Sequence, residues 1–184
     1  MNAKPSSVLM KAAILSLMIL VTACSPLAGP PTRVPEARGS INGWLWHDEC
    51  VIFEGEGGSP DNLNPGCIED AGGVHADGLK TDNESPIGGV KVFLGQGACP
   101  STGLAEMTTI ATDLSYSFIG LGAGTYCVSI DPLLEQNRSI LLPGNWTYPS
   151  LTYDGPAATT VVLGAGENKF DVNFGWDYQF LPAQ

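Results

Sequence analysis

The sequence predicts an all-β fold, a β-sandwich of about seven short strands. Three observations predict it. Several strand-length stretches alternate apolar and polar residues, most cleanly Thr125–Ile130. Gly, Pro, Asn and Asp punctuate the chain between them, with 23 glycines and 14 prolines in all. No stretch beyond residue 24 shows an apolar period of helical spacing.

The strands are expected in this order. Ser40–His47 places Ile41 on one parity and Trp44 and Trp46 on the other, with Gly43 marking a bulge between them. Val90–Leu94 puts Val90, Val92 and Leu94 on one face. Glu106–Thr112 is a weaker, Thr-rich strand, and Tyr116–Ile119 follows it before the turn at Gly120–Gly124. In Thr125–Ile130 the residues Tyr126, Val128 and Ile130 face the core, while Thr125, Cys127 and Ser129 face away. Thr159–Leu163 is another short strand. The last, Lys169–Tyr178, turns Phe170, Val172, Phe174 and Trp176 inward and Asp171, Asn173 and Asp177 outward. Trp46 and Trp176 are expected in the core.

Ahead of these strands lies a leader. Lys4 and Lys11 precede an apolar run from Ala12 to Val21, too short for a secure membrane span. The string Val21-Thr22-Ala23-Cys24 that ends it resembles a bacterial lipobox. That resemblance implies cleavage of a signal peptide at 1–23 and a diacylglycerol on the Cys24 thiol. The protein would then stand outside the cytoplasm, anchored to a bacterial membrane, since two acyl chains hold stably at about 0.8 kcal/mol per buried methylene. An ordinary signal peptide or a signal anchor is the alternative. Residues 24–38 carry the lipidated Cys and a Pro-rich, semi-extended tether, and the β-sandwich domain occupies 39–184.

The 184-residue chain has 8 basic and 19 acidic residues and a net charge of −11. Residues 1–23 hold two lysines and no acid, so six basic residues face nineteen acidic ones in the remainder, a net −13. Such a surface excludes nucleic acid as a partner. Ten of the acids fall between Ser40 and Val90, against the single base Lys80. They form either a solvated surface or the ligands of a divalent cation.

Cys24 leaves four cysteines, Cys50, Cys67, Cys99 and Cys127. An even number in an exported domain reads as two disulfides, and four cysteines allow three pairings. Cys50–Cys67 and Cys99–Cys127 are favoured because each closes a short loop. Parity then places Cys127 on the non-core face, stapled to the loop at Gly95–Thr102.

Two segments exceed simple turns, 48–76 and 131–158. The second carries Trp146, Tyr148 and Tyr153, expected as exposed aromatics able to stack a sugar ring. His47 and His75 are the only histidines, and no HExxH or GxSxG string or Ser/His/Asp spacing accompanies them. Catalysis is therefore not expected. Asn83, Asn137 and Asn145 open N-x-S/T strings, read as unused.

Several strings fall in a suggestive order: Trp46-His47-Asp48, then Asp77-Gly78 through Gly88-Gly89-Val90, then Tyr116-Ser117-Phe118, Leu121, Gly124-Thr125-Tyr126 and Val128. Together they resemble the B-type domains of bacterial serine-aspartate repeat adhesins, relatives of the collagen-adhesin B-type module. The resemblance implies an Ig-like or prealbumin-like sandwich and a Ca²⁺ site in the acidic loop. Asp48, Asp77 and Glu84 match acidic positions of that loop, the Leu79 carbonyl adds a ligand, and Asp82 stands one residue past the family's second Asp, which falls on Thr81. The first strand has no lysine, so no isopeptide bond is expected. The implied function is a non-enzymatic, membrane-anchored surface spacer or adhesion module that binds calcium and meets a surface protein. The alternative is a carbohydrate-binding module using Trp146, Tyr148 and Tyr153.

Overall fold

All seven alternating stretches contribute strand. The computed structural model describes residues 36–50, 63, 65–71, 73–112, 115–151, 155–179 and 181–182. Among them the strands are β1 (Gly39–Gly43), β2 (Leu45–His47), β3 (Cys67–Asp70), β4 (Gly73–Ala76), β5 (Lys91–Gln96), β6 (Ala105–Thr108), β7 (Tyr116–Leu121), β8 (Gly124–Ile130), β9 (Asn145–Tyr148), β10 (Ala157–Leu163), β11 (Asn168–Lys169), β12 (Phe174–Asp177) and β13 (Leu181–Pro182). One helix, α1 (Glu135–Leu141), lies between β8 and β9. The protein is all-β and sandwich-like.

Four sheets form, in the orders β10-β8-β5-β6, β11-β1-β7, β2-β12-β9 and β13-β4-β3. The core between them contains Ile41, Leu45, Val92, Leu94, Tyr116, Val128, Ile130, Phe174 and Trp176. Tyr126, Val128 and Ile130 face it, in line with the parity of β8. Cys127 and Ser129, on the opposite parity, are buried as well. Their cover is the loop after β5. It lies so close over the outer face that a side-chain carbon on Gly95 would sit 2.1 Å from Ser101. Gly95 pairs with Cys127 across the ladder, and Cys127 is bonded to Cys99 in that loop. Cys50 is bonded to Cys67. Both are the favoured pairs.

The long first and last strands are each split. β1 pairs with β11 in parallel, Ile41 against Lys169, and β2 pairs with β12 in parallel, Leu45 against Phe174. Three residues separate Ile41 from Leu45, but four separate Lys169 from Phe174. The extra residue makes a bulge, which reverses parity on one side of it. Phe170 is therefore 55% exposed rather than in the core, and Asp171 takes a positive φ of 61°. Beyond the bulge Val172, Phe174 and Trp176 point inward as expected. Gly43 matters here through close approach. A side chain there would collide with the Val172 carbonyl and the Tyr116 ring, and that carbonyl accepts the hydrogen bond donated by the Tyr116 hydroxyl.

Other expectations are corrected. Glu106–Thr112 stops at Thr108, because Thr109 turns inward and its hydroxyl accepts a hydrogen bond from the Val90 N–H at 2.9 Å. The segment 48–76 is not all loop, since β3 and β4 pair as a hairpin, Cys67 against Ala76. The segment 131–158 contains a helix and a strand. The helix escapes periodicity analysis because it is only two turns long and part of its buried face is polar. Asn137 is fully buried there. Its amide accepts from the Lys91 N–H at 2.7 Å and donates to the carbonyls of Lys91 and Asp131. Fully engaged, it is no glycan acceptor.

Asn137→Ala should strand the Lys91 N–H and two carbonyls in a dry site, at a cost of about 3 kcal/mol. Urea unfolding should show a lower midpoint with an unchanged slope. A loss below about 0.5 kcal/mol would mean that water replaces the amide.

Candidate functional site: an acidic corner around Asp48

β2 ends at His47, and the backbone of the next residue joins β12 through Asp48 N–H to the Trp176 carbonyl, 3.0 Å. This contact carries the Asp48 side chain inward, where it is fully buried. One carboxylate oxygen, Oδ2, accepts from the Gly78 N–H at 2.9 Å. Gly78 has a φ of +76° and lies against the Thr147 carbonyl, so the turn wants a glycine. Next to it, Asp77 Oδ1 accepts from the Leu79 N–H at 2.8 Å. Glu84 closes the corner: Oε1 accepts from the Glu49 N–H at 3.2 Å and Oε2 from the Thr81 N–H. Asp48 and Glu84 thus tie the segment 77–84 to the end of β2, while Asp77 braces the turn inside that segment.

Burial raises the Asp48 pKa from its ordinary 3.8 to about 7, and the Thr147 hydroxyl offsets part of that rise. Glu84, by hydrogen bond and charge, and the Asp77 charge are lesser parts of the same rise to about 7.

Of the expected calcium ligands, the structure brings together Asp48, Asp77 and Glu84. Asp82 is exposed, and Leu79, expected to contribute its backbone carbonyl, is 66% exposed. The hard oxygens present suit Ca²⁺ in kind. Backbone N–H groups, however, already engage both Glu84 oxygens and one oxygen each of Asp48 and Asp77, while Asp48 Oδ1 is buried with no hydrogen-bond partner among the described residues. Among the described residues, no group of three or more His, Cys, Asp or Glu side chains is placed to hold a metal ion.

The expected aromatic platform is corrected. Trp146 is fully buried. Its ring stands edge-on to Trp176 at 4.7 Å, and its Nε1 donates to the Gly155 carbonyl at 2.9 Å. It is a core residue because β9 pairs with β12 and inherits that strand's inward face. Tyr148, at 39% exposure, is the part of the platform that reaches solvent. Tyr153 and the lipidation candidate Cys24 lie outside the described residues.

A second polar cluster escaped the sequence. Asp177, expected to face away from the core, is fully buried. The hairpin β3–β4 covers it, and its carboxylate accepts from the Ala76 N–H at 3.0 Å and the Gln179 N–H at 2.7 Å. Burial raises its pKa, while the two backbone donors and then His47 and His75 lower it. His75 is itself buried, 3.3 Å from Asp70, rather than a surface histidine. Alternation could not show this, because the covering hairpin sits in the segment read as loop.

No family model matches this chain, and a search of curated proteins gives no match.

With a folded pKa near 7 against an ordinary 3.8, Asp48 contributes stability that is full below about pH 4 and is lost as pH rises through about 7. Asp48→Asn keeps the shape without the charge. It should flatten the pH dependence of the melting midpoint and, at pH 8, exceed the parent by on the order of 2 kcal/mol. A variant less stable than the parent at pH 8 would show that the ionised carboxylate is the stabilising form. Trp146→Ala should cost about 4 kcal/mol of stability, seen as a lower urea midpoint, as a core residue does and a surface platform does not.

Proposed function

We propose that this chain is a non-enzymatic surface module, held on the outer side of a bacterial membrane by lipid on Cys24 and acting there as a spacer or adhesion domain. The observation that carries the reading is the pairing of the cysteines. Cys50 is bonded to Cys67 and Cys99 to Cys127, which leaves Cys24 the single unpaired cysteine, directly after an apolar leader. Disulfides persist in oxidising, extracytoplasmic compartments. An odd cysteine in such a protein calls for a separate use, and the string Val21-Thr22-Ala23-Cys24 supplies one.

The adhesin B-type likeness supports the same reading in two respects. The strands corresponding to the quoted strings occur in the expected order, and Asp48 does meet Asp77 and Glu84. Calcium belongs to the proposal as the cation that would compete with the proton on Asp48, with Asp77 and Glu84 as the neighbouring carboxylates that it would have to draw closer. The carbohydrate alternative is weaker, because Trp146 lies inside the protein.

Metabolic labelling with a palmitate analogue should mark the full chain in a bacterial host and leave Cys24→Ala unlabelled. Label on the variant, or none on the parent, would sink the anchor. At pH 8, Ca²⁺ at a hundredfold excess over its dissociation constant should add about 2.7 kcal/mol of stability, absent in Asp48→Asn. A melting midpoint equal in Ca²⁺ and in chelator would remove calcium from the proposal.

A further inference from the structure

Two sheet edges border an open groove of about 290 Å³. One wall is Thr159–Val162 of β10. β10 ends its sheet and pairs with β8 on one side only. Its sequence, Ala-Ala-Thr-Thr-Val-Val-Leu, has no charge and no proline. Soluble sheets usually blunt an edge with charge, proline, a bulge or a covering loop. The opposite edge of this sheet, β6, obeys that rule, with Glu106 on it held by Lys91 at 3.0 Å. Among the described residues β10 does not, and Val162 is 68% exposed on it.

The other wall is the bulged segment 169–173. The bulge turns Phe170 outward, and Tyr148 also lines the groove, so two exposed aromatics border an open strand edge. Asp171 stands at a φ of 61°, a conformation unfavourable for most side chains and concentrated at binding sites. Lys169 leans on Glu167 at 3.7 Å. Among the described residues nothing engages the Asp171 carboxylate, so the groove presents one uncompensated negative charge.

We propose that this groove binds an extended, cationic peptide segment of a partner protein, added as a strand to β10, with its apolar side chains on Phe170 and Tyr148 and a lysine or arginine on Asp171. Strand addition takes its affinity from main-chain hydrogen bonds and its specificity from alternate side chains. The groove offers both. An added strand would lie about 4.8 Å from β10. Charge selects the partner. A second copy would bring another Asp171 and another strongly acidic surface, whereas a cationic segment neutralises the Asp171 carboxylate. The inference stands on the groove alone, so its failure would leave the anchored-module reading untouched.

The test pans a random decapeptide display library on the full chain in detergent, with Val162→Lys as the counter-target. Enriched peptides should alternate apolar residues and carry Lys or Arg. The best of them, made synthetically, should slow amide hydrogen exchange along β10. Its affinity should fall about tenfold for Val162→Lys, which puts a charge on the edge, and about threefold for Asp171→Asn, the worth of one exposed charge pair. Phe170→Ala should weaken binding as well, and unchanged melting of the three variants would show that they fold. Four results would overturn the proposal: no enrichment over the counter-target; protection away from β10; the β10 amides that face away from β8 already protected in the free protein; or a concentration-dependent dimer lost in Val162→Lys.

Discussion

Parallel pairing between the first strands of the domain and the last holds Ser40 beside Asn168 and Leu45 beside Phe174. Almost everything else leans on that seam. It orders β1 between β11 and β7, and β12 between β2 and β9. It brings Trp176 against Trp146, so that β9 is drawn into the core. It also sets Asp48 N–H on the Trp176 carbonyl, which carries the Asp48 carboxyl indoors. Parallel strands need a long connection between them, and here nearly the whole domain is that connection. The seam contains one extra residue on the C-terminal side. That residue decides which side chains of 169–173 point out, and it leaves the groove beside β10 lined by Phe170 and Asp171.

The acidic composition looks like surface charge, and part of it is not. Asp48, Asp77, Glu84 and Asp177 accept hydrogen bonds from backbone N–H groups that leave the strands. Asn137 does the same work for β5. Long irregular connections free many backbone donors, and each one buried needs an acceptor. A carboxylate side chain supplies two acceptor oxygens on a short stem. The consequence for Asp48 is electrostatic. Its oxygen anchors Gly78, yet burial and two neighbouring acids oppose its charge. The same residue is both a structural tie and a carboxyl pushed toward its protonated form.

Much of the fold was legible. All seven alternating stretches carry strand, and the core faces of β5 and β8 follow their parity. Both cysteine pairs follow from loop length. What failed has specific causes. Phe170 failed because a one-residue bulge reverses parity and leaves no compositional trace. The helix failed because two turns with a buried Asn show no apolar period. Trp146 failed because its burial depends on β9 pairing with a strand that follows it in sequence. In the acidic corner, the meeting of Asp48 with Asp77 and Glu84 was readable through the resemblance. Burial of Asp177 and His75 was not, since a hairpin in an apparent loop covers them.

By itself, then, the order of residues determined the all-β class, the core faces of β5 and β8 and the favoured cysteine partners, because alternation and loop length act locally along the chain. Only the tertiary structure decided which carboxylates are buried, which tryptophan is core and which strand edge is unpaired among the described residues. Those outcomes depend on which distant segment covers a given face, and burial, unlike strand formation, is a property of the neighbour as much as of the residue.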